Sequence, residues 1–191
     1  MNTLLESSRR MKWHTDLRLV FEALGGRQQE FNWLLTDWEL NEYPPAFRPV
    51  PEHRGSDADA RWYTGVELTH IVNADHVQFV WGVLSGFRQG ISIDPAALEV
   101  YPFADGNKCL WMPGVSIQHP LADVEIVCWD AGATMLLTRD DELTRRFRQF
   151  FPEAVDLDEY NREMAFKVVP KARWWNRLAR FIASGRASRG I

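Results

Sequence analysis

The stretch VEIVCWDAGATMLLTR, residues 124–139, decides the fold. Apolar side chains recur at every second position of its first half, which is the period of a β-strand, and one predicted face carries Val124, Ile126 and Cys128. Residues 130–133 supply the small and turn-forming side chains that let a chain reverse direction. A second apolar run, residues 135–138, follows directly. These features predict a β-hairpin over residues 124–139.

Further strands are predicted on the N-terminal side of the hairpin. Residues 76–87 (HVQFVWGVLSGF) are almost continuously apolar, which is typical of a central strand covered on both faces. The two glycines in this run permit a bulge or the close approach of another backbone. Residues 31–37 (FNWLLTD) predict another strand, and shorter strands are expected over residues 115–119 and within residues 91–100.

Helices are predicted mainly towards the ends of the chain. Thr15 or Asp16 can cap the first, whose apolar stripe comprises Leu17, Val20, Phe21 and Leu24. Asp140 can cap another, which carries Leu143, Phe147 and Phe150 and ends before Pro152. Residues 64–73 are too mixed for periodicity alone to separate helix from strand, and we expect a short helix there. Residues 156–164 are expected to add a helical turn or two, whereas four prolines between residues 43 and 60 predict a long surface loop.

The arrangement of these elements predicts an α+β fold. Strands joined by short turns occupy the middle of the chain and helices lie outside them, which favours a mixed, mainly antiparallel sheet with helices packed on one face. The chain has 191 residues, of which 46% are hydrophobic, so it can bury a substantial core. We expect a single domain over residues 1–170, followed by a basic amphipathic helix and a frayed tail over residues 171–191.

Composition narrows the possible environments and partners. No stretch approaches the ~20 apolar residues of a transmembrane helix, and a cytoplasmic protein is expected. Cys109 and Cys128 are interpreted as buried, reduced thiols. The net charge is −4, but residues 164–191 carry +7 and no acidic residue, which leaves −11 for the rest. An acidic body argues against nucleic acid and favours a basic protein partner.

Motifs for catalysis or cofactor binding are lacking in this sequence. None of its five histidines lies in an H-E-x-x-H motif, and no C-x-x-C pair completes a zinc site, so we expect neither a metal nor another cofactor. The alternative hypothesis is a small enzyme that pairs a cysteine with a histidine. Its candidate residues are His70, His76, His119, Cys109 and Cys128.

Three stretches together resemble a known group of proteins. They are residues 79–87 (FVWGVLSGF), residues 101–107 (YPFADGN) with 117–120 (IQHP), and residues 125–130 (EIVCWD). They are similar to an uncharacterised family of small bacterial proteins, many of which resemble immunity proteins encoded beside secreted toxins. The resemblance covers roughly residues 29–161. It implies a non-catalytic function, in which a cognate toxin is neutralised by stoichiometric binding, and it assigns no binding residues.

Two regions are therefore predicted to meet a partner. The first is an acidic loop side in which a tryptophan is surrounded by carboxylates, a composition that suits an interface anchor and its rim. It comprises Asp37, Trp38, Glu39, Glu42, Asp57 and Asp59. The second is the C-terminal helix, with Trp174, Trp175, Arg177 and Arg180. Its apolar stripe can dock on the domain itself, on a membrane surface or on a partner.

Overall fold

The predicted hairpin lies at the centre of a seven-stranded sheet. This computed structural model describes residues 2–47 and 60–168. The strands are β1 (Thr3–Leu5), β2 (Phe31–Leu40), β3 (Arg61–Thr64), β4 (Phe79–Arg88), β5 (Val124–Trp129), β6 (Ala133–Thr138) and β7 (Val155–Asp156). Their order is β3-β2-β4-β5-β6-β1-β7, and every pairing among the described strands is antiparallel. The predicted α+β class is confirmed.

Side-chain caps define where the helices begin. The helices are α1 (Leu17–Ala23), α2 (Gly65–Ala74), α3 (Asp141–Phe150) and α4 (Leu157–Val168). Asp16 and Asp140 each accept two backbone N–H bonds at the start of α1 and α3, as predicted. Thr64 and Glu67 form a reciprocal capping box at the start of α2, so the short helix expected there is confirmed.

The two faces of the sheet are covered in different ways. Helices α1, α2 and α3 pack on one side, which we call the helix face, and Trp33, Leu84 and Ile126 belong to its core. The opposite side, the loop face, carries Val83 and Val127. It is covered by the irregular residues 89–123 and by the start of α4. Three helices therefore share one face as expected, while α4 packs on the other.

The short strands predicted within residues 91–100 and over residues 115–119 are wrong. The chain there is irregular, apart from turns, and a short 3-10 helix follows Asn107, over Lys108–Trp111. Residues 91–100 form local turns, and the backbone N–H groups of Gln118 and His119 bond to the side chain of Glu125 instead of a neighbouring strand. Three short strands were not predicted, because so few residues cannot show an alternating pattern: the edge strands β3 and β7, and β1 next to β7.

The irregularity expected beside the glycines of β4 is confirmed. The register of β2 against β4 shifts between Thr36 and Glu39, across from Gly82. At Gly86 the side chains of Val124 on β5 and Trp33 on β2 occupy the space that a Cβ would need. The glycines therefore allow β2 to bulge at one point and let large side chains pack against the backbone of β4 at another.

The two cysteines of the chain differ in exposure. Both thiols are free, but only Cys128 is buried, so the expectation that Cys109 is buried is wrong. Cys109 lies at the surface in the short 3-10 helix Lys108–Trp111, where its apolar neighbours in sequence do not enclose it. None of the helices within residues 2–47 and 60–168 is long and apolar enough to cross a membrane.

We predict that Gly86→Ala destabilises the protein. The Cβ of an alanine in this position would lie 2.6 Å from Cγ1 of Val124 and 3.0 Å from the ring of Trp33. Overpacking of this kind typically lowers the free energy of unfolding by about 1–3 kcal/mol. Gly132→Ala is the matched control, because its Cβ would meet nothing closer than 3.5 Å. Urea denaturation measures both, and equal stabilities would contradict this account.

Candidate interaction surface

Four aromatic rings form a continuous row on the loop face. Trp81 of β4 contacts Trp129 of β5 edge to face, with ring centroids 5.0 Å apart. Trp129 contacts Trp111 in the same manner at 5.2 Å, and Trp111 reaches Tyr160 of α4 at 6.0 Å. We call this row the tryptophan ladder. Since Gly82 pairs with Cys128, the strand register places Trp81 and Trp129 side by side, and the other two rings come from the covering layer.

The ladder is only half-buried, and its polar atoms are available. Trp81, Trp111 and Trp129 all keep part of their surface in solvent. Within the described residues, the three indole N–H groups have no hydrogen-bond acceptor. A tryptophan supplies a large rigid apolar surface together with one donor, which suits it to a contact that is apolar at one end and polar at the other. The ladder therefore offers three such side chains in one row.

Exposed carboxylates border the ladder. Glu39 pairs with Trp81 in the β2–β4 register, and Asp130 follows Trp129 directly. Both are exposed, and neither forms an ion pair within the described part of the chain. Between Arg88 and Arg139 the exposed acidic residues are Asp94, Glu99, Asp105 and Asp130, against the single lysine Lys108, since Glu125 is buried and Asp123 pairs with Arg88. The covering layer and the hairpin therefore give the loop face an acidic character.

The structure places the residues of the predicted acidic loop side on different surfaces of the protein. Trp38 packs against the helix-face core, and the guanidinium of Arg61 lies 4.6 Å from its ring centroid. Glu39 is on the opposite side, next to the ladder, and Glu42 is exposed beyond the end of β2. Asp57 and Asp59 lie outside the described residues. Trp38 and Glu39 thus do not share a face, because adjacent residues of a strand point in opposite directions.

Asp37 binds backbone groups of the covering layer. It lies in the bulge of β2 with a positive φ of 48°, which points its side chain at the covering layer. Its Oδ2 accepts hydrogen bonds from the backbone N–H groups of Ala104 and Asp105, at 2.6 and 2.8 Å. Its own N–H donates to the hydroxyl of Tyr101. Asp37 therefore holds the turn of residues 101–107 against the sheet.

A buried carboxylate holds the next part of the covering layer. Glu125 in β5 is fully buried and accepts hydrogen bonds from the backbone N–H groups of Gln118 and His119 and from the hydroxyl of Ser85. Burial raises the pKa of Glu125 to about 7, against the three hydrogen bonds, which favour its ionised form. The bonds to Glu125 satisfy the backbone N–H groups of Gln118 and His119, which have no neighbouring strand to pair with.

A groove opens beside the ladder. It has a volume of about 530 Å³, and its lining includes Phe103, Cys109, Met112, Val115, Ile117 and Gln118. We call it the Met112 groove. Val115 and Ile117 pack against the same core as the ladder tryptophans, so the two features are parts of one apolar surface. The side-chain nitrogen of Gln118 is buried without a hydrogen-bond partner among the described residues.

The cysteine and histidine residues of the alternative enzyme hypothesis are dispersed. Cys128 lies fully buried in β5, and burial raises its pKa to about 12. His119 packs on Phe87 at 4.8 Å, and its Nδ1 accepts from the N–H of Leu121. The exposed groups are His70, His76 and Cys109.

None of these histidines has a hydrogen bond to either cysteine within the described residues. His76 instead lies 4.0 Å from a carboxylate oxygen of Asp16. The part of the chain that the structure describes also contains no group of His, Cys, Asp or Glu side chains that could hold a metal ion.

The remaining predicted residues, Trp174, Trp175, Arg177 and Arg180, lie outside the described ranges. Comparisons of the chain with models of known protein families, with curated proteins and with solved structures find no match. The candidate surface is therefore defined by its own residues. Sequence reasoning missed the ladder, although pairing residues 76–87 with the hairpin would have placed two of its tryptophans side by side.

Because the pKa of Glu125 is raised, we predict that the free energy of unfolding depends on pH. Between pH 4.5 and about 7 the unfolded chain loses this proton while the folded protein keeps it. The folded state therefore binds more protons, and the contribution of Glu125 to stability falls as the pH rises. By pH 8 the loss amounts to roughly 3 kcal/mol relative to pH 4.

Glu125→Gln tests this contribution, because glutamine cannot titrate. Its amide nitrogen cannot accept the backbone N–H bond that one carboxyl oxygen accepts from Gln118 or His119, so we expect the variant to be less stable than wild type at pH 5. The difference in stability should shrink as the pH rises to 8. Glu99→Gln removes an exposed carboxylate and should follow the wild type. Urea denaturation at several pH values measures the differences, and parallel curves for Glu125→Gln and wild type would overturn the assignment.

Proposed function

We propose that the protein binds a basic protein partner stoichiometrically and without catalysis, as an immunity protein binds its toxin. The tryptophan ladder is the centre of the contact, and Glu39 and Asp130 belong to its rim. The observation that carries this proposal is the row of three half-buried tryptophans whose N–H groups have no acceptor among the described residues, bordered by exposed carboxylates. The resemblance of residues 79–87, 101–107, 117–120 and 125–130 to immunity-like proteins supports the toxin as the kind of partner.

The ladder has the physical properties of an interface anchor. Tryptophan is among the residues that most often dominate binding energy, because it buries a large area and loses little conformational freedom. In the ladder this freedom is already restricted, since each ring is held edge to face by the next. A partner would therefore meet a preorganised surface, and the entropic cost of binding would be lower than for mobile side chains.

The charge distribution favours a basic partner over an acidic one. Several arginines of the described chain are engaged locally: Arg88 pairs with Asp123 at 2.6 Å, and Arg145 and Arg146 both pair with Glu142 at 2.7 Å. Glu39 and Asp130, beside the ladder, have no such partner within residues 2–47 and 60–168. Complementary charge at a rim mainly accelerates association, which is the step that decides whether a toxin is captured before it acts.

Binding to the product of a neighbouring toxin-like reading frame tests the proposal. We expect a 1:1 complex by size-exclusion chromatography and titration calorimetry, and protection of cells that express the toxin. Trp111→Ala should weaken the affinity by roughly 30-fold or more, since truncation of an anchor costs about 2 kcal/mol or more. Trp111 lies in the covering layer outside the strands, so this variant leaves the sheet intact.

A pair of charge reversals separates the loop face from the helix face. Glu39→Lys is expected to slow association and to reduce its dependence on salt. Glu22→Lys makes the same charge change on α1, on the opposite side of the sheet, and should behave as wild type. Equal effects of the two reversals would contradict the assignment of the binding surface to the loop face. Failure of the protein to bind the toxin, or to protect cells from it, would contradict the proposed function.

A further inference from the structure

The Met112 groove is an apolar surface that the described residues leave uncovered. Met112 is 56% exposed and Phe103 is 43% exposed, although both lie beside the loop-face core. Val115 and Ile117, between them and the core, are half-buried. Large apolar side chains gathered in a concave surface mark a place where another segment packs. A segment that packs in this groove must have chemistry that matches its apolar lining.

We propose that the Met112 groove is the docking site of the chain's own C-terminal segment, residues 171–182. The segment carries five large apolar side chains at helical spacing, namely Trp174, Trp175, Leu178, Phe181 and Ile182. A helix of this length is only marginally stable alone in water, so it requires a surface on which to fold. This inference goes beyond the proposed partner binding and concerns the surface beside the ladder.

The end of the described chain lies within reach of the groove. Asn161 of α4 donates hydrogen bonds to the carbonyls of Leu110 and Met112, at 3.1 and 3.0 Å. Val168 is seven residues further along α4, which places it about 10 Å from that contact. Pro170 then disfavours continuation of the helix. Residues 169–172 can span up to roughly 13 Å, enough to bring the segment back to the groove.

Charge favours the same pairing. The C-terminal segment contains Lys171, Arg173, Arg177 and Arg180 and no acidic residue. The groove is flanked by Asp105 and by Asp158, whose Oδ1 accepts from the N–H of Gly114 in the groove wall. The basic side chains near these positions are Lys108 and Arg162. Because both signs are present, the apolar contact supplies most of the affinity and the acidic residues bias its orientation.

Hydrogen exchange of the full-length protein, read by mass spectrometry, tests the docking. We expect residues 171–182 to be protected in the wild type and exchange there to accelerate about ten-fold or more in Met112→Lys, because a charge in the groove opposes apolar contact. Leu121→Lys is the matched control: Leu121 is 54% exposed but is not part of the groove lining. It should leave the exchange of the segment unchanged.

A native thiol provides a second readout. Cys109 lines the groove, whereas Cys128 is fully buried, so modification by DTNB reports on the groove. Trp174→Ala/Trp175→Ala in the full-length chain should raise the rate of Cys109 modification about ten-fold or more, as a docked segment would shield the thiol.

Three results would overturn the proposal. The first is fast exchange of residues 171–182 in the wild type. The second is protection that Met112→Lys leaves intact, which would place the segment elsewhere on the domain. The third is protection that appears only when vesicles containing phosphatidylserine are added, which would identify the segment as a membrane-binding helix.

Discussion

The hydrogen bonds that the buried Glu125 side chain accepts hold in place the chain that covers the loop face. The central strands are apolar on both sides, so both faces need cover, but helices α1, α2 and α3 all pack on one of them. The other is covered by irregular chain, whose peptide groups cannot enter the buried layer without hydrogen-bond partners. Glu125 supplies two such bonds from within the sheet, and Asp37 supplies two more from the bulge of β2. The tryptophan ladder and the Met112 groove exist only because this layer is held in place.

The secondary structure could be predicted where a pattern was long and local. The hairpin of residues 124–139 and the helices capped by Asp16 and Asp140 are confirmed, since alternation, turn chemistry and capping are all encoded within a few neighbouring residues. Residues 91–100 and 115–119 contain similar apolar residues but do not form strands. Residues 91–100 close local turns. Backbone groups of residues 115–119 bond to the side chains of Glu125 and Asn2, and nothing within that segment signals such contacts.

The candidate surface was less predictable for the same reason. Trp38 and Glu39 are adjacent in sequence and so were grouped into one acidic side, yet a strand directs them to opposite faces of the sheet. The ladder shows the converse case, because Trp81, Trp111, Trp129 and Tyr160 are far apart in the chain and meet only through strand register and the packing of α4. A surface made in this way becomes visible only when pairing and order of the strands are known.

Net charge alone therefore says little about where a partner binds, because beyond pairing with arginines, as Asp123 and Glu142 do, carboxylates in this fold serve three physical roles. Asp16 and Asp140 cap helices, Glu125 and Asp37 hold the covering layer, and Glu39 is exposed and unpaired among the described residues. Carboxylates that accept backbone N–H bonds are already engaged, and redirecting them to a partner would expose unsatisfied peptide groups at a cost of about 1–3 kcal/mol each. Only the third group can attract a cation without loosening the fold. The acidic rim of the ladder belongs to that group, which is why its charge can be matched to a partner independently of the stability of the sheet beneath it.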